Sequence, residues 1–245
     1  MLSNPYTALA ENYDYILRHV DYQLWFEYIK KVMLKYCKNP KIAVELGTGT
    51  GKFGAKFAAS GYTIYGIDKS IEILCIAKRR AFGKFRLICA DMAAFYLKPK
   101  ADFIFSVHDT MNYFLEKDDI IKVLKNIAAT MKEETIFMFD ITTEYNVLNN
   151  FHEKTTVYKT KDTLIEWNNT YNKRKKIVQS TLHFSFPDGS SQTEVHYQRI
   201  YEIKEISKLL NKCGFEVLGI FGDHTFDAPN LETIMINFVT RLKHK

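Results

Sequence analysis

Ile42-Ala43-Val44-Glu45-Leu46-Gly47-Thr48-Gly49-Thr50-Gly51-Lys52-Phe53-Gly54 is the stretch on which the reading of the fold turns. It opens as a short apolar, β-branched run, the pattern of a buried parallel strand. Three glycines at alternate positions then break it, and a helix-compatible segment runs from Lys52 to about Ser60. Strand, glycine turn and helix make the frame of a nucleotide-binding βα unit. Glycine lets the chain bend sharply and lets a ligand lie against bare main chain. The first N–H groups of the helix then face polar or anionic ligand atoms.

Glu45 discriminates among ligands. It lies two residues before the first glycine, near the carboxyl end of the strand. A carboxylate there repels a pyrophosphate and favours an amino group or a positive charge. Gly47-x-Gly49-x-Gly51 also departs from the dinucleotide spacing G-x-G-x-x-G, although Gly54 completes Gly49-x-Gly51-x-x-Gly54. The next apolar run, Tyr62-Thr63-Ile64-Tyr65-Gly66-Ile67-Asp68, ends in a second acid. In a βαβ unit such a carboxylate reaches a ribose and accepts from both vicinal hydroxyls. A third acid, Asp91, follows the strand-like Phe85-Arg86-Leu87-Ile88-Cys89.

With these acids in place the chain resembles the class I S-adenosylmethionine-dependent methyltransferases. VELGTGTGKFG, YGIDKS, ICADM and FSVHDTMNYF carry the resemblance, in the family's order. It implies a Rossmann-like α/β fold whose seven-stranded sheet runs 3-2-1-4-5-7-6 with strand 7 antiparallel. It also implies S-adenosyl-L-methionine as cofactor. Glu45, Gly47, Thr48, Gly49 and Gly51 would hold the methionine part. Asp68, with Lys69 beside it, would take the ribose, and Asp91 and Met92 the adenine. In the family a segment of form A-x-x-Y-D lies over the cofactor, and Ala10-Glu11-Asn12-Tyr13-Asp14 matches it. Tyr13 and Tyr6 are therefore candidates to face the ligand, since a phenol donates to a carboxylate and its ring can face a sulfonium.

At 245 residues, 47% hydrophobic and with 18 Phe and 15 Tyr, the chain can fill a large core. A formal net charge of +6 is mildly basic and by itself points weakly to nucleic acid. Cys37, Cys75, Cys89 and Cys213 form no C-x-x-C pair or zinc spacing, so no metal is expected. Cys75 and Cys89 read as small core residues, and a reducing cytoplasm is the natural compartment. No signal peptide and no membrane-spanning run is evident.

Residues 1–40 read as a helical cap. A Ser70-capped helix reaches about Phe82, and its terminal Lys78-Arg79-Arg80 suits the negative end of the helix dipole. Asp102–Val107, Thr135–Ile141, Phe215–Phe221 and Leu231–Val239 read as further strands, Asp118–Met131 and Ile203–Cys213 as helices. From about residue 150 the pattern becomes alternating and aromatic, with turns at Asn172–Lys176 and Pro187–Ser190. The expected organisation is a Rossmann-like domain over 1–150 and 202–245, with an antiparallel β subdomain inserted at 151–201. In resembling small-molecule enzymes such an insertion covers the acceptor.

The loop His108-Asp109-Thr110-Met111-Asn112-Tyr113 leaves the carboxyl end of the fourth strand, where α/β sheets bind ligands. Val107 and His108 are assigned to the cofactor. His108, Asp109 and His196 are the acid–base candidates, because only side chains that titrate can take a proton from the acceptor. Asn112, Tyr113, Tyr197 and Arg199 are assigned to the acceptor pocket. Tyr197 and Arg199 share one face of their strand with Tyr201, and either that face or the one bearing His196 looks inward. The leading function is methyl transfer to O or N of a small molecule by a monomer or homodimer. RNA methylation is the alternative enzyme, disfavoured because no N/D-P-P-Y/F run follows the fourth strand. A non-catalytic nucleotide-binding protein is the alternative outside enzymes.

Overall fold

The computed structural model describes residues 2, 3 and 5–243. The chain begins with a two-residue strand, β1 (Leu2–Ser3), then α1 (Leu9–Ile16) and α2 (Tyr22–Tyr36). A strand was not expected in this cap. The glycine stretch follows as β2 (Ile42–Leu46) and α3 (Lys52–Ala59), and βα alternation continues through β3 (Thr63–Asp68), α4 (Ile71–Lys78) and β4 (Phe85–Cys89). Then come β5 (Ala101–Ser106), a 3-10 turn at Thr110–Tyr113, α5 (Lys117–Thr130) and β6 (Met131–Thr142). A short α6 (Glu144–Asn146) runs into a π-helical turn at Val147–Phe151. Four strands follow, β7 (Thr155–Lys159), β8 (Leu164–Asn172), β9 (Ile177–Ser185) and β10 (Ser191–Arg199). The chain closes with α7 (Ile203–Lys212), β11 (Phe215–Gly222) and β12 (Met235–Leu242).

Two sheets result. The larger has the order β11-β12-β6-β5-β2-β3-β4, which is 3-2-1-4-5-7-6 when its own strands are counted in chain order. The strands β4 to β6 are parallel to β2, while β12 is antiparallel to both β6 and β11. Alternation along each strand sends side chains to opposite faces. Val44, Leu46, Ile104, Phe137 and Phe139 pack against α5 and α7 through Ile120, Leu124, Ile206 and Leu210. Ala43, Ile64, Phe103, Phe105 and Met138 pack against α2 and α3 through Phe26, Ile29, Met33 and Phe57. Burying an apolar side chain of this size contributes about 1.5–3 kcal/mol, so both helical layers are firmly tied to the sheet.

The second sheet has the order β1-β10-β9-β8-β7 and is antiparallel except for β1, which pairs parallel with β10. One face presents Ile165, Leu182 and Phe184 to Leu9 and Ile16 of α1. The other side of α1 meets α4, where Ala10 packs with Ile73 and Ile76. A single eight-residue helix thus joins the two sheets.

Three expectations are corrected. Cys75 and Cys89 are exposed, because Cys75 lies on the outer side of α4 and Cys89 ends the edge strand β4. Only Cys37 of the four is buried. The last strand starts at Met235 rather than Leu231, because Asn230 and Thr233 hold a turn across those residues, with Asn230 N–H donating to Thr233 Oγ1 at 2.8 Å. Arg79 and Arg80 do more than suit a helix dipole: they pair with Glu11 and Asp14 of α1.

Candidate functional site

The bend after β2 is built from backbone that only glycine adopts easily. Gly47, Gly49 and Gly51 have φ of 70, 53 and 78°. Gly47 and Thr48 N–H groups both donate to Ile67 O, at 2.8 and 3.0 Å, which ties the bend to the end of β3. A Cβ on Gly47 would lie 2.5 Å from Thr110 Cγ2, so the loop after β5 requires a bare backbone here. Gly51 has a different role from the one expected. It does not line the cavity; a Cβ there would press to 3.1 Å on Ala77 and Phe85, so it makes room for packing between α3, α4 and β4.

Two carboxyls face the bend, Glu45 buried and Asp68 half-buried. Glu45 is 2% exposed and accepts from Thr48 Oγ1 at 2.7 Å. No Lys, Arg or His among the described residues forms an ion pair with it. Burial pushes its carboxyl up to about 8, against hydrogen bonds from Thr48 and Gly54, and the charge of Asp68 adds to the rise. Asp68 takes the N–H of Gly49 at 2.9 Å on one oxygen and that of Ser70 at 3.1 Å on the other. Burial raises it above its ordinary value, and those N–H bonds oppose the rise.

A cavity opens above these groups. Its floor is Glu45, Gly47, Thr48 and Gly49, with Asp68, Lys69, Asp91 and Met92 along one side. Its roof is aromatic: Tyr6 and Tyr13 from the N-terminal arm, Tyr22 from α2, and Tyr113 and Phe114 from the loop after β5. Val107, His108 and Thr110 complete that wall. Asp14 fastens the arm to the bend. It accepts from Thr50 Oγ1 at 2.8 Å and pairs with Lys52 at 3.3 Å and with Arg80.

The acid–base candidates divide. His108 lines the cavity, but its ring is stacked among Trp25 and Tyr22, at 4.3 and 5.4 Å between centroids. Burial, then the neighbouring His224, Lys52 and His19, press it down to about 3, so it is a neutral wall at ordinary pH. Asp109 stays out of the cavity: its carboxylate accepts from Gln198 of β10 at 2.9 Å, and its own N–H donates to Asp140 at 2.7 Å. Burial and then Asp140 push Asp109 up to about 7, against the Gln198 bond. His196 lies just behind the roof, 4% exposed, with Nδ1 3.1 Å from the Tyr113 hydroxyl.

Of the four residues expected around the acceptor, only Tyr113 lines the cavity. Asn112 is fully buried and structural: its amide donates to Arg199 O at 2.7 Å and accepts from Thr142 N–H at 3.0 Å. Arg199 donates to Leu115 O at 3.0 Å and covers the Tyr201 ring. Tyr197 is 44% exposed. Period-two alternation explains the result, since Glu194, His196 and Gln198 turn toward the site and Tyr197 turns away. Thr110 of the expected loop does line the cavity, which also uses Tyr22, Thr50, Lys52, Phe53, Ile73 and Phe114, not singled out from sequence. Thr50 and Lys52 were findable from their place within and after the glycine run. Tyr22, Phe53 and Ile73 carry no local signal, since an apolar helical face reads the same whether it meets core or ligand.

Comparison with known proteins agrees with this geometry. Residues 43–134 match the family model described as a methyltransferase domain. The chain is 23% identical over 239 residues to YqeM of Bacillus subtilis (strain 168), covering 95% of each. A crystal structure of an S-adenosylmethionine-dependent methyltransferase from Clostridium acetobutylicum ATCC 824 superposes with a TM-score of 0.83 at 24% identity, over 98% of this chain and 99% of that one. The sugar N-methyltransferase KedS8 from Streptoalloteichus sp ATCC 53650 gives 0.77 at 14% identity, over 94% and 92%. Residues 43–134 thus match a methyltransferase domain, and the whole chain shares its fold with S-adenosylmethionine-dependent methyltransferases. No helix among the described residues is long and apolar enough to cross a membrane.

Proposed function

We propose that the protein transfers the methyl group of S-adenosylmethionine to a nitrogen or oxygen of a small molecule. The observation that carries this reading is Glu45, a buried carboxyl with no cationic partner among the described residues, facing a bare-backbone bend beside a second, half-buried acid. An ammonium supplies the counter-charge that lets this carboxyl ionise in place, which a diphosphate cannot do. Glu45 and the Gly47–Gly49 backbone would hold the methionine end, Asp68 the ribose hydroxyls, and Asp91 and Met92 the adenine. Tyr6 and Tyr13 would close over the ligand from above.

S-adenosylmethionine supplies a methyl already activated by its sulfonium, so the chain's main tasks are to orient the acceptor and exclude water, worth up to about 7–11 kcal/mol in favourable cases. The aromatic roof does both. It also favours a compact acceptor over a base within a polymer, which supports the small-molecule reading against RNA. The likeness to a sugar N-methyltransferase favours an amine as the attacking group. We read residues 151–201 as a lid over that acceptor, inserted into a Rossmann-like domain of 1–150 and 202–245. The free cysteines suit a reducing cytoplasm.

The test is calorimetric titration with S-adenosylhomocysteine and NAD, followed by incubation with tritiated S-adenosylmethionine and separate metabolite and RNA fractions of a cell extract. Uptake of S-adenosylhomocysteine and label in the metabolites are expected. Binding of NAD alone would end the methyltransferase reading, and label confined to RNA would end the small-molecule one.

A further inference from the structure

One chain of hydrogen bonds runs from the second sheet to the cavity, and its polarity is fixed from one end. Glu194 is fully buried and takes four donors. Oε1 accepts from the N–H groups of Ala8, at 2.5 Å, and Leu9, at 2.9 Å. Oε2 accepts from the N–H of Tyr6, at 2.8 Å, and lies 3.2 Å from His196 Nε2. Four donors exhaust the acceptor sites of a carboxylate. Burial alone would raise this carboxyl, but the bonds from His196, Leu9, Tyr6 and Ala8 outweigh it and hold it below its ordinary value. An ionised Glu194 can only accept, so His196 carries its proton on Nε2. In the tautomer so fixed, Nδ1 is the acceptor for the Tyr113 hydroxyl, 3.1 Å away. Tyr113 oxygen in turn accepts from Tyr6 O–H at 2.9 Å. Among the described residues no recorded hydrogen bond donates to the Tyr6 oxygen, and Tyr6 and Tyr113 both line the cavity.

We infer that Tyr6, Tyr113 and His196 form a proton relay that deprotonates the methyl acceptor, with Glu194 setting its direction. This deepens the methyl-transfer reading and rests on it. The acceptor heteroatom forms its bond to the methyl carbon as the carbon–sulfur bond breaks and that electron pair stays on sulfur. The proton shed by the acceptor passes to Tyr6 Oη, the Tyr6 proton to Tyr113 Oη, and the Tyr113 proton to His196 Nδ1. The imidazolium so formed sits against Glu194 and later returns its proton to water. Burial holds both tyrosines well above their ordinary range, with Tyr113 and Tyr13 adding to the rise at Tyr6 and the bond from Tyr6 opposing it at Tyr113, so neither rests as a phenolate and the protons move in concert. An alkyl ammonium, with an ordinary value of about 10.4 as in lysine, needs such an outlet before its nitrogen can attack. Tyr6 is the catalytic contact; His196 and Glu194 position and drive it.

The same carboxylate closes the arm. Glu194 supplies α1 with the N-terminal cap that Ala8 cannot, and it holds Tyr6 at φ 65°, a conformation uncommon outside glycine. The relay is therefore assembled only when the arm is seated on β10.

Two measurements on the full chain test the relay. The first needs no acceptor: nitrogen-15 NMR of labelled histidine in the S-adenosylhomocysteine complex. A proton on Nε2 of His196 is expected, with an Nδ1 resonance that moves in Tyr113→Phe. A proton on Nδ1, or no response to Tyr113→Phe, overturns the relay. The second is the pH profile of tritium transfer to the metabolite fraction. At neutral pH, Tyr113→Phe and His196→Gln should each lower the rate about 100-fold or more, leave S-adenosylhomocysteine affinity within about twofold, and recover as pH rises. The groups that face His196 are Glu194 from its own strand, Tyr113 from the loop after β5 and Tyr6 from the arm. An unchanged rate in Tyr113→Phe reduces the network to a clamp and overturns the relay. If wild-type protein fails to bind S-adenosylhomocysteine, the methyl-transfer reading fails by itself, and the NMR result on the ligand-free chain still decides the hydrogen-bond polarity.

Discussion

The two walls of the cavity are made differently. The floor is main chain and carboxylates at the ends of β2, β3 and β4, placed by a sheet whose strands are locked to one another by parallel ladders. The roof is a set of aromatic side chains from an arm, a loop and a helix, fastened through Glu194, His196 and Asp14 to distant parts of the chain. A floor of this kind is set by fold and suits a ligand common to many enzymes. The roof depends on particular side chains and suits a ligand that differs from enzyme to enzyme.

Substitutions should separate the walls. Gly47→Val is expected to have the largest effect, abolishing S-adenosylhomocysteine binding, because the side chain would collide with Thr110 in a backbone already at φ 70°. Calorimetry checks this, with Gly61→Ala as control; that glycine also has positive φ but nothing within 4 Å. Retained affinity in Gly47→Val would move the ligand off the floor. Asp68→Ala should weaken binding by about 1–3 kcal/mol, the loss expected for hydrogen bonds to a charged group. Unchanged affinity there would remove the ribose assignment.

pH sharpens the comparison further. Glu45 holds its proton up to about pH 8, and a cationic ligand binds the ionised form. Binding therefore releases a proton, and affinity should climb from pH 6 to 8 by at most about tenfold per unit, then level. Glu45→Gln should flatten that slope. The sign for stability is opposite. A carboxyl raised by folding supports the fold fully below its unfolded value of about 4.3 and withdraws that support as pH rises to about 8. Glu45→Gln should thus melt higher than the parent at pH 8 without ligand, as scanning calorimetry would show. A lower melting point would mean that the carboxylate is satisfied in place. The smallest effect belongs to Tyr197→Ala on the outer face of the second sheet, where stability and methyl transfer should stay within about 0.5 kcal/mol of the parent. A marked loss of transfer would turn that face inward.

The difference between the walls also explains what could be read from residues alone. The acids at Glu45, Asp68 and Asp91 were legible because glycine spacing, apolar runs and strand ends are local marks, and the 3-2-1-4-5-7-6 order came from the resemblance those marks carry. The placement of Lys69, Met92, Val107 and Tyr113 followed from the same marks. Tyr197 and Arg199 could not be placed, since the choice between two faces of β10 depends on what packs there, and α1 lies more than 170 positions earlier in the chain. Asn112 was legible as a polar loop residue, yet only the contact with Arg199 O and Thr142 N–H shows that it is spent on holding the loop. Gly51 was read as a ligand contact because its neighbours are; the phenyl ring of Phe85 behind it is the actual constraint.

Glu194 seating residues 6–9 has a consequence for biogenesis. During translation the nascent β2–β6 core can collapse early, while the leading tyrosines must wait until β10 has left the ribosome. Residues made long before β10 are thus among the last to find their places, and a ribosome-bound chain stalled before position 194 would hold its nucleoside shelf open to solvent.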